Sequence, residues 1–114
     1  MLPAVHRLRD GDVFRQAARS GRRAASRTLV VHLLWADEAA GPEPVRVGFV
    51  VSKAVGNAVV RNRVKRRLRH LVREQVSLLP GVAAMVVRAL PPSAAASSAE
   101  LRADLGRCLE GVRG

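Results

Sequence analysis

The sequence predicts a single domain that combines α-helices with β-strands, and three observations support this prediction. The chain has 114 residues, enough for one hydrophobic core and too few for two. Hydrophobic residues make up 48% of the sequence, so a buried core can offset the loss of chain entropy. Strand-like and helix-like apolar patterns also follow one another along the chain.

The first half of the chain predicts one short helix and two strands. The helix begins at Asp10, which can cap it, and runs to about Arg19. Residues 28–36 are rich in β-branched and large apolar side chains, and residues 45–52 alternate in polarity. Glycine and proline in residues 37–44 are typical of turns. We expect the two strands to pair with each other in antiparallel fashion.

The second half predicts a long helix, a third strand and a last helix. Asn57 is a suitable N-cap for the long helix, and the Pro-Gly pair at 80–81 ends it. Residues 82–90 form a strand that two prolines close. A capping box of Ser97 and Glu100 begins the last helix. Its apolar face includes Cys108, which we interpret as a small core residue without a function of its own.

The charge distribution indicates a polyanionic partner. The formal net charge is +11, and residues 44–73 contain no acidic side chain. A basic run on a helix is ordinarily a solvated surface, but without a neutralising carboxylate this one favours phosphate binding. A second basic group lies earlier in the chain and comprises Arg15, Arg19, Arg22, Arg23 and Arg27.

The long helix is predicted to be amphipathic. At about 100° per residue, its apolar side chains fall within one arc, and its cations fill the opposite side. Arg61 and Arg67 lie at the two borders of the apolar arc. The helix should therefore pack one side on the core and present the other to phosphates. The apolar arc consists of Val60, Val64, Leu68, Leu71 and Val72.

Other function classes find little support in the sequence. The longest apolar run, residues 29–36, is interrupted by His32 and is far shorter than the roughly 20 residues of a membrane-spanning helix. The N-terminus lacks the apolar segment of a secretory signal, so we expect a cytoplasmic protein without a membrane partner. Carboxylates and histidines are scattered without metal-ligand spacing. We therefore assign no catalytic residue, and any metal position stays unknown.

Residues 53–66, KAVGNAVVRNRVKR, closely resemble the signature segment of the ribonuclease P protein family. The resemblance extends upstream through residues 46–52 and downstream through Arg69. It implies an α+β two-layer sandwich in which a mostly antiparallel sheet of about four strands packs against helices, in the order αβββαβα. It also implies a βαβ crossover of the uncommon left hand. The apolar patterns by themselves predict only three strands.

The resemblance further implies that residues 1–114 are one RNA-binding domain, the protein subunit of an endoribonuclease. Its partners would be the catalytic RNA of ribonuclease P and precursor tRNA, with no obligate protein partner. That RNA, with magnesium, would remove the 5′ leader, and the protein alone would bind no metal tightly. The implied RNA-binding residues are Lys53, Asn57, Arg61, Asn62, Arg63, Lys65, Arg66 and Arg69, and those of a leader-binding cleft are Arg9, Phe14, His32 and Ser52.

Two positions depart from the family pattern. Ala18 and His32 stand where members commonly have aromatic residues, so base stacking would rest mainly on Phe14. Three alternatives to the leading interpretation remain open at this point. They are a ribosomal or chaperone-like RNA-binding protein, a DNA-binding protein and a protein adsorbed to membrane surfaces.

Overall fold

The computed structural model describes residues 22–35, 46–75 and 82–113. The predicted helix from Asp10 to Arg19 and the turn at 37–44 lie outside these residues. The predicted third strand, long helix and last helix are confirmed within them. The elements are β1 (Arg22–Ala25), β2 (Leu29–Trp35), β3 (Arg46–Val51), α1 (Ala58–Gln75), β4 (Val82–Ala89), a short 3₁₀ helix (Pro91–Ala94) and α2 (Ser98–Arg113).

The four strands form one sheet in the order β1-β2-β4-β3. Strand β2 pairs antiparallel with both β1 and β4, whereas β3 and β4 are parallel. The predicted pairing of β2 with β3 is therefore wrong, because β4 lies between them. Consecutive residues of β4, from Ala84 to Val87, are buried, so both faces of this strand are covered. Such a strand is stabilised most in the middle of a sheet.

Strand β1 has no counterpart among the three strands that the apolar patterns predict. It is four residues long and begins with two exposed arginines, both members of the second basic group. Its register sets Arg22 opposite Leu33 and Arg23 opposite His32. Pairing with β2 therefore holds this segment in a strand, although its sequence lacks the alternation of apolar residues that is typical of strands.

Helix α1 connects the parallel strands β3 and β4, so these elements form a βαβ unit. The described order βββαβα matches the implied order apart from the first helix, which lies outside the described residues. The α+β class and the four-stranded sheet are confirmed. The left hand of the crossover stays a prediction.

Both helices pack on the same face of the sheet. Leu29, Val31 and Leu33 of β2 point to this face and belong to one buried cluster with residues of α1 and α2. Cys108 is 1% exposed within that cluster, which confirms it as a core residue. On the opposite face, a smaller cluster contains Ala84 and Val86, with the partly buried side chains Leu34 and Val50 packed against it.

A buried polar contact ties the start of β2 to α2. The hydroxyl of Thr28 donates a hydrogen bond to Oδ2 of Asp104 over 2.5 Å, and both residues are buried. Arg107 donates to Oδ1 of the same carboxylate over 2.5 Å. The hydrogen bond from Thr28 is the largest cause that holds the pKa of Asp104 below its usual value, and Arg107 adds to it against the effect of burial.

Replacing Asp104 should therefore reduce the acid sensitivity of folding. The folded pKa is lower than the ordinary value of 3.8, so the carboxylate adds stability above pH 3.8 and loses it as the pH falls through the folded pKa. Asp104→Asn should be less stable near neutral pH and lose less stability on acidification. Urea unfolding over this pH range measures both effects, with the exposed Glu110→Gln of the same helix as control. Equal acid dependence in the wild type and Asp104→Asn would contradict the assignment.

Candidate nucleic-acid interface

The turn between β3 and α1 fixes the start of the long helix. The backbone N–H of Val55 donates to the carbonyl of Ser52 over 3.1 Å, which closes the turn. The side chain of Asn57 accepts a hydrogen bond from the N–H of Val60 over 3.0 Å, so the predicted N-cap is confirmed. A Cβ at Gly56 would lie 2.8 Å from Cγ1 of Val60, so only glycine permits this close approach.

Helix α1 has the two sides that its sequence predicts. Val64, Leu68, Leu71 and Val72 are at most 2% exposed, and Val60 is half-buried. The side chains predicted to bind RNA lie outside this buried seam and are reachable from solvent. Five of them are exposed, namely Lys53, Asn57, Asn62, Arg63 and Arg66, and three are half-buried, namely Arg61, Lys65 and Arg69. Ser52, which is predicted to line the leader-binding cleft, is also exposed.

The cations of this surface are not neutralised by the described part of the protein. Among residues 22–35, 46–75 and 82–113, the salt bridges involve none of the predicted RNA-binding side chains. Glu74, near the C-terminal end of α1, lies 3.4 Å from Arg102 and 3.6 Å from His70. The helix therefore presents a continuous positive surface, as the acid-free stretch of sequence predicts.

The two border arginines of α1 differ in their contacts. Arg67 donates a hydrogen bond to the carbonyl of Ala96 over 3.1 Å, which ties α1 to the segment before α2. Its guanidinium is therefore engaged with the protein. Arg61 is half-buried, and its Nε is enclosed without a hydrogen-bond partner among the described residues. The amide oxygen of Asn57 is also engaged within the protein, because it caps the helix.

The predicted leader-binding cleft is described only in part. Arg9 and Phe14 lie outside the described residues. His32 lies on the sheet face opposite the helices, and Ser52 follows the end of β3. Since β4 separates β2 from β3, these two residues occupy separate positions along the sheet.

His32 has neighbours that sequence reasoning did not connect with it. Its pKa is lowered from the ordinary value of 6.5 by burial and then by Arg23 and Arg88. The sequence places Arg23 only in the second basic group and predicts no role for Arg88. Strand register brings the three together, and no local sequence pattern could have revealed it.

The outer surface of α2 has a different charge pattern. Arg107 contacts Asp104, and Arg27 from the turn before β2 lies 3.9 Å from Glu100. Positive and negative groups alternate here, so this side lacks the uncompensated charge of α1. Within the described ranges, no three His, Cys, Asp or Glu side chains are grouped to hold a metal ion. No helix of the described residues is long and apolar enough to span a membrane.

The sequence matches a known protein family. A family model described as Ribonuclease P matches residues 2–113. The chain belongs to the ribonuclease P protein family. A ribonuclease P protein component from Nocardioides sp. is 69% identical over 109 residues, covering 96% of this chain and 92% of the relative. The corresponding component from Streptomyces avermitilis is 52% identical over 119 residues, covering 100% of this chain and 97% of the relative.

Solved structures agree with this membership. The RNase P protein of Staphylococcus aureus superposes with a TM-score of 0.78 at 26% identity, covering 92% of this chain and 93% of that one. The RNase P protein of Thermotoga maritima, at 23% identity, shares the fold with a TM-score of 0.75 over 95% of this chain and 96% of its own. The chain thus belongs to a protein family that forms part of an endoribonuclease of bacterial tRNA processing. Membership of this family implies an RNA partner.

Gly56→Ala should destabilise the turn that precedes α1. The new Cβ would meet Val60 at 2.8 Å, so the turn or the first helical turn must shift, at a cost of about 1–3 kcal/mol. Gly106→Ala is a matched control within α2, because its Cβ meets nothing within 4 Å. That variant should gain about 0.5–1 kcal/mol from helix propensity. Urea unfolding compares both, and opposite signs are expected.

Proposed function

We propose that the protein binds the catalytic RNA of ribonuclease P and the 5′ leader of precursor tRNA, and so assists RNA-catalysed, magnesium-dependent leader removal. The whole chain, residues 1–114, would act as one RNA-binding domain in the cytoplasm. The observation that carries the proposal is the outer side of α1. It is a row of exposed cations without a carboxylate partner among the described residues, in a chain that belongs to this family.

The geometry of α1 suits binding to RNA phosphates. Residues three and four apart lie on the same side of a helix, so Arg63 and Arg66 present neighbouring guanidinium groups. Each planar guanidinium can donate two hydrogen bonds to one phosphate. Binding also releases counterions condensed on the RNA, which makes the affinity depend on salt. Packing of the buried seam on the other side of the helix holds these groups in place and leaves both arginines exposed.

Phosphodiester cleavage is assigned to the RNA partner. The described residues contain no carboxylate cluster that could hold magnesium, so we derive no catalytic step through this protein. Magnesium would be held with the RNA subunit. The protein would contribute binding and orientation of the two RNA molecules.

The proposed leader-binding cleft differs in chemistry from an aromatic one. His32 stands at a position where an aromatic is common in the family, and two arginines lie near it. Charge would therefore contribute more to leader binding here, and stacking would rest on Phe14.

Reconstitution tests the proposal. The purified protein, mixed with the cognate catalytic RNA, should speed cleavage of precursor tRNA at low magnesium concentration. Single-turnover rates across a magnesium series measure this effect against the RNA alone. Equal rates with and without the protein would contradict the proposed function.

Arg63→Ala combined with Arg66→Ala should weaken binding to the catalytic RNA and lower its salt dependence by about two counterions. The control is Arg27→Ala with Arg102→Ala, which removes the same charge from pairs with Glu100 and Glu74. The control should retain the wild-type slope. Filter binding over a salt series gives the slopes, and an unchanged slope in the α1 variant would show that its cations do not contact phosphates.

Phe14→Ala should selectively weaken substrates that carry a leader. Loss of one stacked base costs about 1–3 kcal/mol, so affinity for precursor tRNA should fall while that for mature tRNA stays the same. Binding of both RNAs to the holoenzyme measures the difference. Equal losses on the two would show that Phe14 does not contact the leader.

A further inference from the structure

Helix α1 carries one acidic side chain, and it lies on the side of the helix that meets α2. The helix is 18 residues long, and Glu74 in its last turn is its only carboxylate. Glu74 lies two turns after Arg67, so the two residues share one side of the helix. On this side Arg67 donates a hydrogen bond to the carbonyl of Ala96, and Glu74 lies 3.4 Å from Arg102 of α2. Arg67, Glu74, Ala96 and Arg102 form the junction between α1 and α2.

Local stability does not account for a carboxylate at position 74. The C-terminal end of a helix carries the negative pole of the helix dipole, so an acid in the last turn is unfavourable there and a cation is favoured. The ion pair gives little in return, because the side chains of Arg102 and Glu74 are 55% and 42% exposed, and exposed ion pairs contribute little to stability. A role outside folding is therefore indicated for Glu74.

The carboxylate of Glu74 neutralises an arginine of the neighbouring helix. It lies 3.4 Å from Arg102 and 3.6 Å from His70, whereas the arginines on the outer side of α1 form no salt bridge within the described ranges. On α2, Glu100 lies near Arg27 in the same way, at 3.9 Å. Without its partner, Arg102 would extend the positive surface from α1 to α2. Glu74 therefore ends this surface at the junction.

We propose that Glu74 is a specificity-determining residue, which confines bound RNA to the outer side of α1 by neutralising Arg102. The inference rests on the proposed function, since it takes RNA binding on α1 as given. The ligand that Glu74 disfavours is RNA of unrelated shape, which the protein holds only by its phosphates. The affinity for such RNA depends on how many phosphates the protein can neutralise, whatever the base sequence. Each neutralised arginine therefore weakens the binding of unrelated RNA.

The loss of one available cation weakens unrelated RNA more than it weakens the catalytic RNA. The catalytic RNA would gain affinity from its fit to α1, where phosphates meet guanidinium groups in fixed positions. An unrelated RNA lacks this fit and would use any cation within reach. Specificity is the difference between the two binding free energies, so removing a contact that is open to every RNA increases it. A net charge of +11 attracts polyanions in general, which makes such discrimination necessary.

Glu74→Gln in the full-length protein tests the proposal. Arg102 becomes available to phosphates, so the salt dependence of binding to an unrelated structured RNA should increase by about one counterion. The affinity for that RNA at low salt should rise several-fold, and the affinity for the catalytic RNA should rise less. The preference for the catalytic RNA should therefore fall. Filter binding over a salt series, with two RNAs of equal length, measures the slopes and the preference.

Three further variants separate neutralisation of Arg102 from other effects. Glu110→Gln removes one negative charge from the exposed side of α2, outside the junction, and should keep the wild-type slope and preference. Glu74→Asp keeps the negative charge and should retain most of the preference. Glu74→Gln with Arg102→Gln should return to the wild-type slope, and since His70 is unchanged in it, the comparison isolates Arg102. Urea unfolding should show nearly wild-type stability for all of these variants.

The position of the bound RNA provides a direct readout. On addition of the unrelated RNA, the backbone amide NMR signals of residues 98–107 should shift in Glu74→Gln and stay in place in the wild type. The signals of residues 61–69 should shift in both proteins. A purely structural role of Glu74 would not move RNA on to α2, so unshifted α2 signals in the variant would contradict the proposal.

The outcomes separate this inference from the proposed function. An unchanged salt slope in Glu74→Gln, an equal increase in Glu110→Gln, or an increase that persists in the double variant would each overturn the role of Glu74. If Arg63→Ala with Arg66→Ala still weakens RNA binding in that case, the proposed function stands without it. If that arginine variant binds the catalytic RNA as tightly as the wild type does, the proposed function fails, and the role of Glu74 fails with it.

Discussion

The packing of the apolar side of α1 on the sheet sets the direction of every charged side chain on that helix. Four buried residues, Val64, Leu68, Leu71 and Val72, each contribute about 1.5–3 kcal/mol through removal of apolar surface from water. Like charges four residues apart cost only a few tenths of a kcal/mol per pair. Burial therefore outweighs repulsion, and the helix tolerates a cationic outer side that an isolated peptide would not.

Charge is distributed unevenly over the molecule, and the unevenness follows from the packing. On α2, Glu100 and Asp104 face arginines, so that surface is locally balanced. On α1, such a balance begins only at Glu74, past the stretch that carries the signature residues. The sheet face with Arg23 and Arg88 also lacks a described carboxylate. Among the described residues, positive charge without a carboxylate partner therefore lies on the outer side of α1 and on the sheet face opposite the helices.

Much of the fold could be predicted where the signal is local. The cap at Asn57, the amphipathic α1, the capping box at Ser97 and the burial of Cys108 all depend on residues close in sequence, and the structure has them. The pairing of β2 with β3 was wrong because partner choice depends on contacts distant in sequence. Strand β1 was missed because two arginines mask its pattern. The exposure of the α1 cations was predictable, whereas the grouping around His32 needs the register, and RNA contacts at each predicted residue stay predictions.

The central position of β4 has a consequence for synthesis. Strands β2 and β3 leave the ribosome before β4, and they do not pair with each other, because each forms its ladder of hydrogen bonds with β4. The hairpin of β1 with β2 can form early, but β3 and α1 must wait for Val82–Ala89 before they have a platform to pack on. Closure of such long-range pairs is slow compared with helix formation. Until β4 is available, the sheet that fixes the direction of the cationic side of α1 is therefore incomplete.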